Sequence, residues 1–216
     1  MHVEDIMKRH VITLSPEDSI ATAHQLLLEH RIRHIPIVDE DFTVIGIVSD
    51  RDVRDASPSV LLAEQDKTIL NKKLRTIMRH PVITVHPLDF VEEVARIVYD
   101  REIACLPVVS HNKLVGIITE KDLLYTFIQL TGTHIQGSQI EVKVPNRPGI
   151  LPEVASVFGN RGLNVSSVLV YPYKNDPEFK ILVFRIQTMN PLPIIRELRQ
   201  EGYELMWPNN IPEPKL

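Results

Sequence analysis

The sequence predicts an α/β (α+β) protein in which two copies of one small module, related by a pseudo-two-fold axis, precede a different unit with the element order βαββαβ. Internal recurrence is the first observation. Ile6-Met7-Lys8-Arg9-His10-Val11-Ile12-Thr13 returns as Ile77-Met78-Arg79-His80-Pro81-Val82-Ile83-Thr84, and His34-Ile35-Pro36-Ile37-Val38 returns as Cys105-Leu106-Pro107-Val108-Val109. Gly46-Ile47-Val48-Ser49-Asp50-Arg51-Asp52 returns as Gly116-Ile117-Ile118-Thr119-Glu120-Lys121-Asp122. The offset falls from 71 to 70 between Val38 and Gly46, where a hairpin loop absorbs the lost residue. Module size is the second observation: a copy of roughly 50 to 60 residues buries only about 60 % of its unfolded surface, so two must share a core. Two repeats indicate a pair and argue against a solenoid. The third is the change of pattern from Gln139 onward.

Each copy reads as strand, helix, strand, strand, helix. Val11 to Leu14 and Val82 to Val85 are short β-branched runs. Ser15-Pro16-Glu17-Asp18 then places a capping hydroxyl, a first-turn Pro and an acid at the third position, which resembles a capping box, and the second copy keeps Pro87 and Asp89 of it. Ile20, Ala23 and Leu27, and then Val91, Val94, Ala95 and Val98, fall at helical spacing toward a core. Ile35 to Val38 and Val44 to Val48 form a hairpin around Asp39-Glu40-Asp41, echoed by Leu106 to Val109 and Leu114 to Ile118 around His111-Asn112. Their unbroken apolar runs suggest strands covered on both faces.

Ser57 to Asp66 connects the copies, with a helical stretch at Val60 to Gln65. Lys121 to Leu130 reads as a helix stopped by Gly132, and Gly132 to Ser138 as a linker. Beyond it come strand 139–144, the loop Pro145-Asn146-Arg147-Pro148-Gly149, helix 150–160 with Gly162 as its stop, strand 163–171, strand 179–188, helix 191–201 and strand 203–207. That order is the ferredoxin-like arrangement. The expected domains are therefore 1–56, a connector 57–73, 74–131, a linker 132–138, 139–207, and a flexible tail 208–216.

Composition narrows the function. Hydrophobic content of 44 %, charged content of 24 % and a net charge of −4 are ordinary for a globular chain and give no basic stripe for nucleic acid. No apolar run reaches the length of a membrane span and no signal-peptide apolar region opens the chain, so a cytoplasmic protein without membrane contact is expected. Cys105 is the sole cysteine, set among apolar neighbours, and is expected to be a small buried hydrophobe. The nine histidines show no HExxH or close Cys/His cluster, so no metal site is expected. GxxxxGK[ST], GxSxG and GxGxxG are all missing from the sequence, and no catalytic residues are assigned.

One constellation invites ligand chemistry. Ser49-x-x-Asp52 and Thr119-x-x-Asp122 follow apolar strands and open helices, so each hydroxyl stands at a helix N-terminus, which offers N–H groups and a favourable field to a phosphate. The carboxylate one turn on could accept from the two hydroxyls of a ribose. Arg33, Arg51 and Lys121 add cations for phosphate. The same spacing also caps a helix without any ligand.

With these residues in view, both copies resemble CBS domains and the pair resembles a Bateman module. The resemblance implies regulatory binding of AMP, ATP or S-adenosylmethionine in two clefts between the copies, with Asp52 and Asp122 on ribose and Ser49 and Thr119 near phosphate. Thr13, Ile35, Thr84 and Leu106 would line the base pocket. One departure is that the family often has Gly four residues before the strand Pro, where this chain has Ile32 and Ile103. A branched side chain there would narrow the cleft.

The last third resembles an ACT domain, carried by Asn146-Arg147-Pro148-Gly149-Ile150-Leu151 and Gly162-Leu163-Asn164-Val165. That resemblance implies an amino-acid effector near Asn146, Gly149, Ile150, Leu151 and Asn164, at an interface between two such domains. The three modules without a catalytic domain resemble acetoin-utilisation proteins of bacilli, most particularly in Val82 to Glu93, Ser166 to Pro172 and Thr188 to Pro193. The expectation is a non-enzymatic, homodimeric regulator that needs no cofactor, takes an adenosyl ligand and acts on an unidentified partner protein. The alternative is a ligand-free dimerisation module.

Overall fold

The computed structural model describes residues 1–56 and 67–208. It divides into two compact units, Met1–Leu124 and Tyr125–Leu216. The expected helix at Val60 to Gln65 and the tail 209–216 lie outside the described residues.

In the first unit each copy contributes one helix, one two-stranded antiparallel hairpin and a second helix. These are α1 (Ile20–Glu29), β1 (His34–Val38), β2 (Val44–Ser49) and α2 (Asp50–Ala56), and then, after the short α3 (Lys67–Leu70), α4 (Val91–Arg101), β3 (Cys105–Ser110), β4 (Lys113–Thr119) and α5 (Glu120–Leu130), which runs on into the second unit. Register pairs Pro36 with Ile47 and Pro107 with Ile117, and the irregularity between Ile37 and Val38 recurs between Val108 and Val109. The internal repeat therefore extends to strand pairing. Ile20, Ala23 and Leu27 on α1, and Val91, Val94 and Val98 on α4, are buried as their spacing predicts, while Ala95 is only half-buried.

Two expectations need correction. The first strand of each copy is reduced to a single parallel bridge, Leu14 to Ile37 and Val85 to Val108. Leu14 donates to Pro36 O at 3.2 Å and accepts from Val38 N–H at 2.9 Å, so one residue of each run meets the hairpin. Ser15 does not cap α1 either. Its hydroxyl accepts from Glu17 N–H (3.1 Å) and its N–H donates to the Asp18 carboxylate (2.7 Å), closing a turn before the helix. Ser19 is the cap, accepting from Thr22 N–H at 3.1 Å. The turn leaves its carbonyls pointing outward, and Pro16 O and Asp18 O receive Arg75 N–H (3.1 Å) and Leu74 N–H (2.8 Å).

Those last bonds belong to a reciprocal exchange. Each copy's leading segment packs on the other copy's core: Val3 and Met7 join the cluster of Val94, Leu106 and Ile118, while Leu74 joins Ile20, Ile35 and Val48, with Ile77 and Met78 against it. Val3 N–H donates to Asp89 O (3.0 Å) as Leu74 N–H does to Asp18 O (2.8 Å). Lys8 and Ile117 exchange two backbone hydrogen bonds of 2.9 Å, and Arg79 and Ile47 exchange two of 2.9 and 3.1 Å. The glycines recurring in β2 and β4 now have a reason. A Cβ on Gly46 would stand 2.6 Å from Met78 Sδ, and one on Gly116 2.5 Å from Met7 Sδ, so each crossing methionine needs a bare backbone beneath it.

The second unit is the expected βαββαβ: β5 (Ser138–Pro145), α6 (Ile150–Asn160), β6 (Val165–Pro172), β7 (Phe179–Ile186), α7 (Leu192–Gln200) and β8 (Glu204–Trp207). Its antiparallel sheet has the order β6-β7-β5-β8, the ferredoxin-like topology. Strand alternation sends Ile140, Val142 and Val144 of β5, and Leu182, Phe184 and Ile186 of β7, toward Val154, Val157 and Phe158 of α6 and Ile194, Ile195 and Leu198 of α7. The Phe158 and Phe184 rings meet at 4.6 Å between centroids. Gly149 (φ +82) and Gly162 (φ +63) flank α6 in left-handed conformations that a side chain would strain.

Candidate functional site

The two hydroxyl–acid sequences adopt one geometry. Asp52 Oδ2 accepts from Ser49 N–H (2.9 Å) and Ser49 Oγ–H (2.5 Å), while Asp52 N–H donates back to Ser49 Oγ (3.1 Å). Asp122 Oδ2 accepts from Thr119 N–H (2.9 Å) and Thr119 Oγ1–H (2.6 Å), with Asp122 N–H to Thr119 Oγ1 at 3.4 Å. The capping reading is thus realised in both copies. It uses one carboxylate oxygen, and the other meets a cation carried across by the exchanged segment: Arg79 Nε lies 2.8 Å from Asp52 Oδ1, and Lys8 Nζ 3.2 Å from Asp122 Oδ1. For Asp52, burial alone would raise the pKa; the hydrogen bonds from Ser49 and Arg79 outweigh it and hold the carboxyl below its ordinary value.

A cleft of about 340 Å³ is lined by Thr119 of the second of these pairs, with Asp122 reached through its hydrogen bond to Thr119. That lies within the roughly 300 to 1,000 Å³ of small-molecule sites. Val11, Ile12, Ile32, Ala104 and Ile117 supply apolar wall, and Thr119, Glu120 and Lys121 bring the start of α5. Lys8, His10, Arg31, Arg33 and His34 complete the lining. Ile32 forms part of the wall, and the cleft is open beside it. Burial, and then the neighbouring Arg33, push the His34 imidazole below its usual pKa, so it is neutral at pH 7.

Of the residues singled out from sequence, the cleft brings together Arg33, Thr119 and Lys121, with Asp122 bonded to Thr119. Ser49, Arg51 and Asp52 stand at the pseudo-symmetric place. The Ile35 and Leu106 side chains are wholly buried in the hydrophobic clusters, and around them Arg33, His34 and Ala104 line the cleft. Thr13 is half-buried and Thr84 exposed, and neither lines this cleft, where Val11 and Ile12 take the part expected of Thr13. The helix-start donors expected to meet phosphate are largely used: Glu120 N–H donates to Ala104 O (3.1 Å), and Asp50 N–H to Arg33 O (2.9 Å). Sequence reasoning missed Lys8, His10 and Arg31. The repeat itself held a signal, since Lys8 and Arg79 occupy one place in both copies.

In the second unit Gly149 opens α6, and Asn146 N–H donates to Glu178 O at 2.7 Å. Ile150 is buried in the core, whereas Asn146, Leu151 and Asn164 are exposed. A cavity of about 430 Å³ beside this loop is lined by Ile150 together with Lys143, Arg147, Glu153, Tyr203 and Glu204, among others. Arg147 grips Glu153 through two hydrogen bonds of 2.7 and 2.5 Å, which lower the Glu153 pKa. Of the expected effector residues only Ile150 borders this cavity.

Cys105 starts β3 buried, and burial, followed by the charge of Asp122, pushes its thiol up to about 12. Among the described residues no cluster of His, Cys, Asp and Glu could hold a metal ion, and no helix is long and apolar enough to cross a membrane.

Comparison with known proteins agrees with both units. The CBS domain family matches residues 3–59 and 74–128, and the ACT domain family residues 138–202. A proposed acetoin utilization protein (AcuB) from Vibrio cholerae is 35 % identical in its crystal structure with a TM-score of 0.54, covering 62 % of this chain and 95 % of that one. The CBS domain pair of protein MJ0100, in complex with 5′-methylthioadenosine and S-adenosyl-L-methionine, is 34 % identical with a TM-score of 0.51, covering 59 % of this chain and 95 % of that one. CBSX2 in complex with AMP is 27 % identical with a TM-score of 0.52, covering 59 % of this chain and 96 % of that one. Among curated relatives, the L-aspartate semialdehyde sulfurtransferase of Methanocaldococcus jannaschii is 36 % identical over 126 residues, 58 % of this chain but only 23 % of that enzyme.

Proposed function

The chain belongs to the CBS-domain family and carries an ACT domain, and from that premise we propose that it is a non-catalytic regulator whose CBS pair senses an adenosyl ligand. The observation that carries the reading is the cleft lined by Thr119: apolar wall for a base, cations for phosphate, and a hydroxyl whose hydrogen-bond partner, the Asp122 carboxylate, is the group proposed to take a ribose. Solved CBS pairs with AMP, or with 5′-methylthioadenosine and S-adenosyl-L-methionine, support it. Ser49, Arg51 and Asp52 are proposed to serve the pseudo-symmetric cleft. The ligand regulates only by binding one arrangement of the exchanged segments more tightly than another.

The ACT domain is proposed to take an amino acid near Asn146, Gly149 and Ile150, or to relay the CBS state to a partner protein, with the chain a cytoplasmic homodimer. Similarity to the Vibrio cholerae protein supports a role in acetoin utilisation. The test is a thermal-shift screen with AMP, ATP, S-adenosylmethionine and amino acids, because a ligand that prefers the native state raises the melting temperature. An adenosyl compound should raise it, and Asp52→Ala with Asp122→Ala should abolish the shift.

A second reading rests on the ion pairs. Asp52 and Asp122 are already satisfied by Arg79 and Lys8, and Ile32 stands in the cleft, as a ligand-free dimerisation module requires. It predicts a stable dimer and no shift with any nucleotide.

A further inference from the structure

We infer that the two clefts have diverged in charge, and that the one in front of Asp122 selects a phosphate-bearing adenine nucleotide over S-adenosylmethionine or an uncharged adenosine. This rests on the adenosyl reading above and names the ligand class and the cleft. Four basic side chains line the space, Lys8, Arg31, Arg33 and Lys121, against one acid, Glu120. Lys8 is shared with Asp122 (3.2 Å) and Arg33 with Asp50 (3.7 Å), while Arg31 and Lys121 are exposed and, among the described residues, have no such acid partner within salt-bridge distance.

The internal repeat supplies the comparison. At the places of Arg31 and Arg33 the second copy carries Glu102 and Ala104, while Arg33 itself takes the place of Ala104, so by the repeat the pseudo-symmetric cleft has one cation fewer and one acid more. The backbones are matched: Arg31 (φ 51) and Glu102 (φ 52) both sit in the left-handed region, so the difference lies in the side chains and not in the chain path. Since Glu120 N–H and Asp122 N–H are already bonded at the start of α5, few backbone donors there are left for a phosphate chain, and among the side chains that could meet it Arg31 and Arg33 differ from their counterparts. The sulfonium of S-adenosylmethionine meets a net positive lining, and its single carboxylate gains less from these cations than a phosphate chain does.

The experiment is titration calorimetry of the full chain with ATP, S-adenosylmethionine and adenosine, in the wild type and in Arg31→Glu/Arg33→Ala. Both replaced residues are exposed, and Glu102 shows that this backbone accepts Glu. The expected result is ATP binding tighter than either other compound by about tenfold or more, an advantage that salt erodes. The double variant should lose about tenfold for ATP while adenosine affinity stays within about twofold. Asp122→Ala should remove the ATP-selective site and Asp52→Ala should keep it, each variant being checked for native circular dichroism. Equal affinity for ATP and S-adenosylmethionine, or a double variant that holds ATP as tightly as the wild type, overturns the inference while leaving adenosyl sensing intact. Failure of all three compounds to bind overturns both.

Discussion

Arg79 Nε of the second copy lies 2.8 Å from Asp52 Oδ1 of the first, and Lys8 of the first copy answers it at Asp122 of the second. The acid that would hold a ribose is therefore also the latch between the copies. A ligand at either acid must share it with, or take it from, a residue on the exchanged segment, which gives sensing a direct route to the packing between modules.

That latch sets a pH dependence. The folded-state pKa of Asp52 is depressed, so its contribution to stability is present above the ordinary carboxylate value of about 3.9 and is lost as pH falls through the folded value. Arg79→Met removes one of the groups that depress it. The variant should be less stable at neutral pH and should decline less steeply below about pH 4. Melting temperature followed by circular dichroism from pH 2 to pH 6 checks this, and parallel curves for the two proteins would contradict it.

The glycine–methionine contacts predict a second outcome. Gly46→Ala and Gly116→Ala each press a methyl into a crossing methionine and should cost about 1 to 3 kcal/mol. Gly116→Ala should cost more, because Lys8 O also stands 3.1 Å from the new Cβ and backbone yields less than a side chain. Urea denaturation of Gly46→Ala, Met78→Ala and the double variant should show strong non-additivity, and simple additivity would remove the contact from the account.

Those glycines also show how much the sequence carried. Their recurrence marked both copies, while the reason for it lay in the leading segment crossing to the opposite core, which a repeat cannot reveal. Helix α6 was legible to its end residues because Gly149 and Gly162 bracket an apolar periodicity. Val11 to Leu14 misled, since β-branched composition reports fitness for a pleated surface and only Leu14 finds one. In the cleft, the hydroxyl and acid were readable from fixed local spacing. Lys8 left only the trace of its counterpart Arg79 in the repeat, and His10 left none, because both reach the cleft from a segment far from Thr119 in sequence.

The thiol gives a third prediction. With Cys105 buried and its pKa near 12, no reactive thiolate exists at pH 8. A thiol reagent should label the native chain negligibly and the urea-unfolded chain fully. Fast native labelling would mean that β3 opens or is misplaced.

The ACT core gives a fourth. Phe184 is fully buried against Phe158 and the apolar faces of α6 and α7, so Phe184→Ala should cost about 3 to 5 kcal/mol. Chemical denaturation monitored by circular dichroism reads this directly, and a loss below 1 kcal/mol would deny the packing described.

The central claim is that an adenosyl ligand occupies the space between Ile32 and Thr119 with its ribose on Asp122. The most direct measurement is a crystal structure of the full chain grown with saturating ATP. The account predicts density for the nucleoside in that cleft, its ribose hydroxyls within hydrogen-bond distance of Asp122 and its phosphates toward Arg31 and Lys121. An empty cleft, with Lys8 still seated on Asp122, would contradict it.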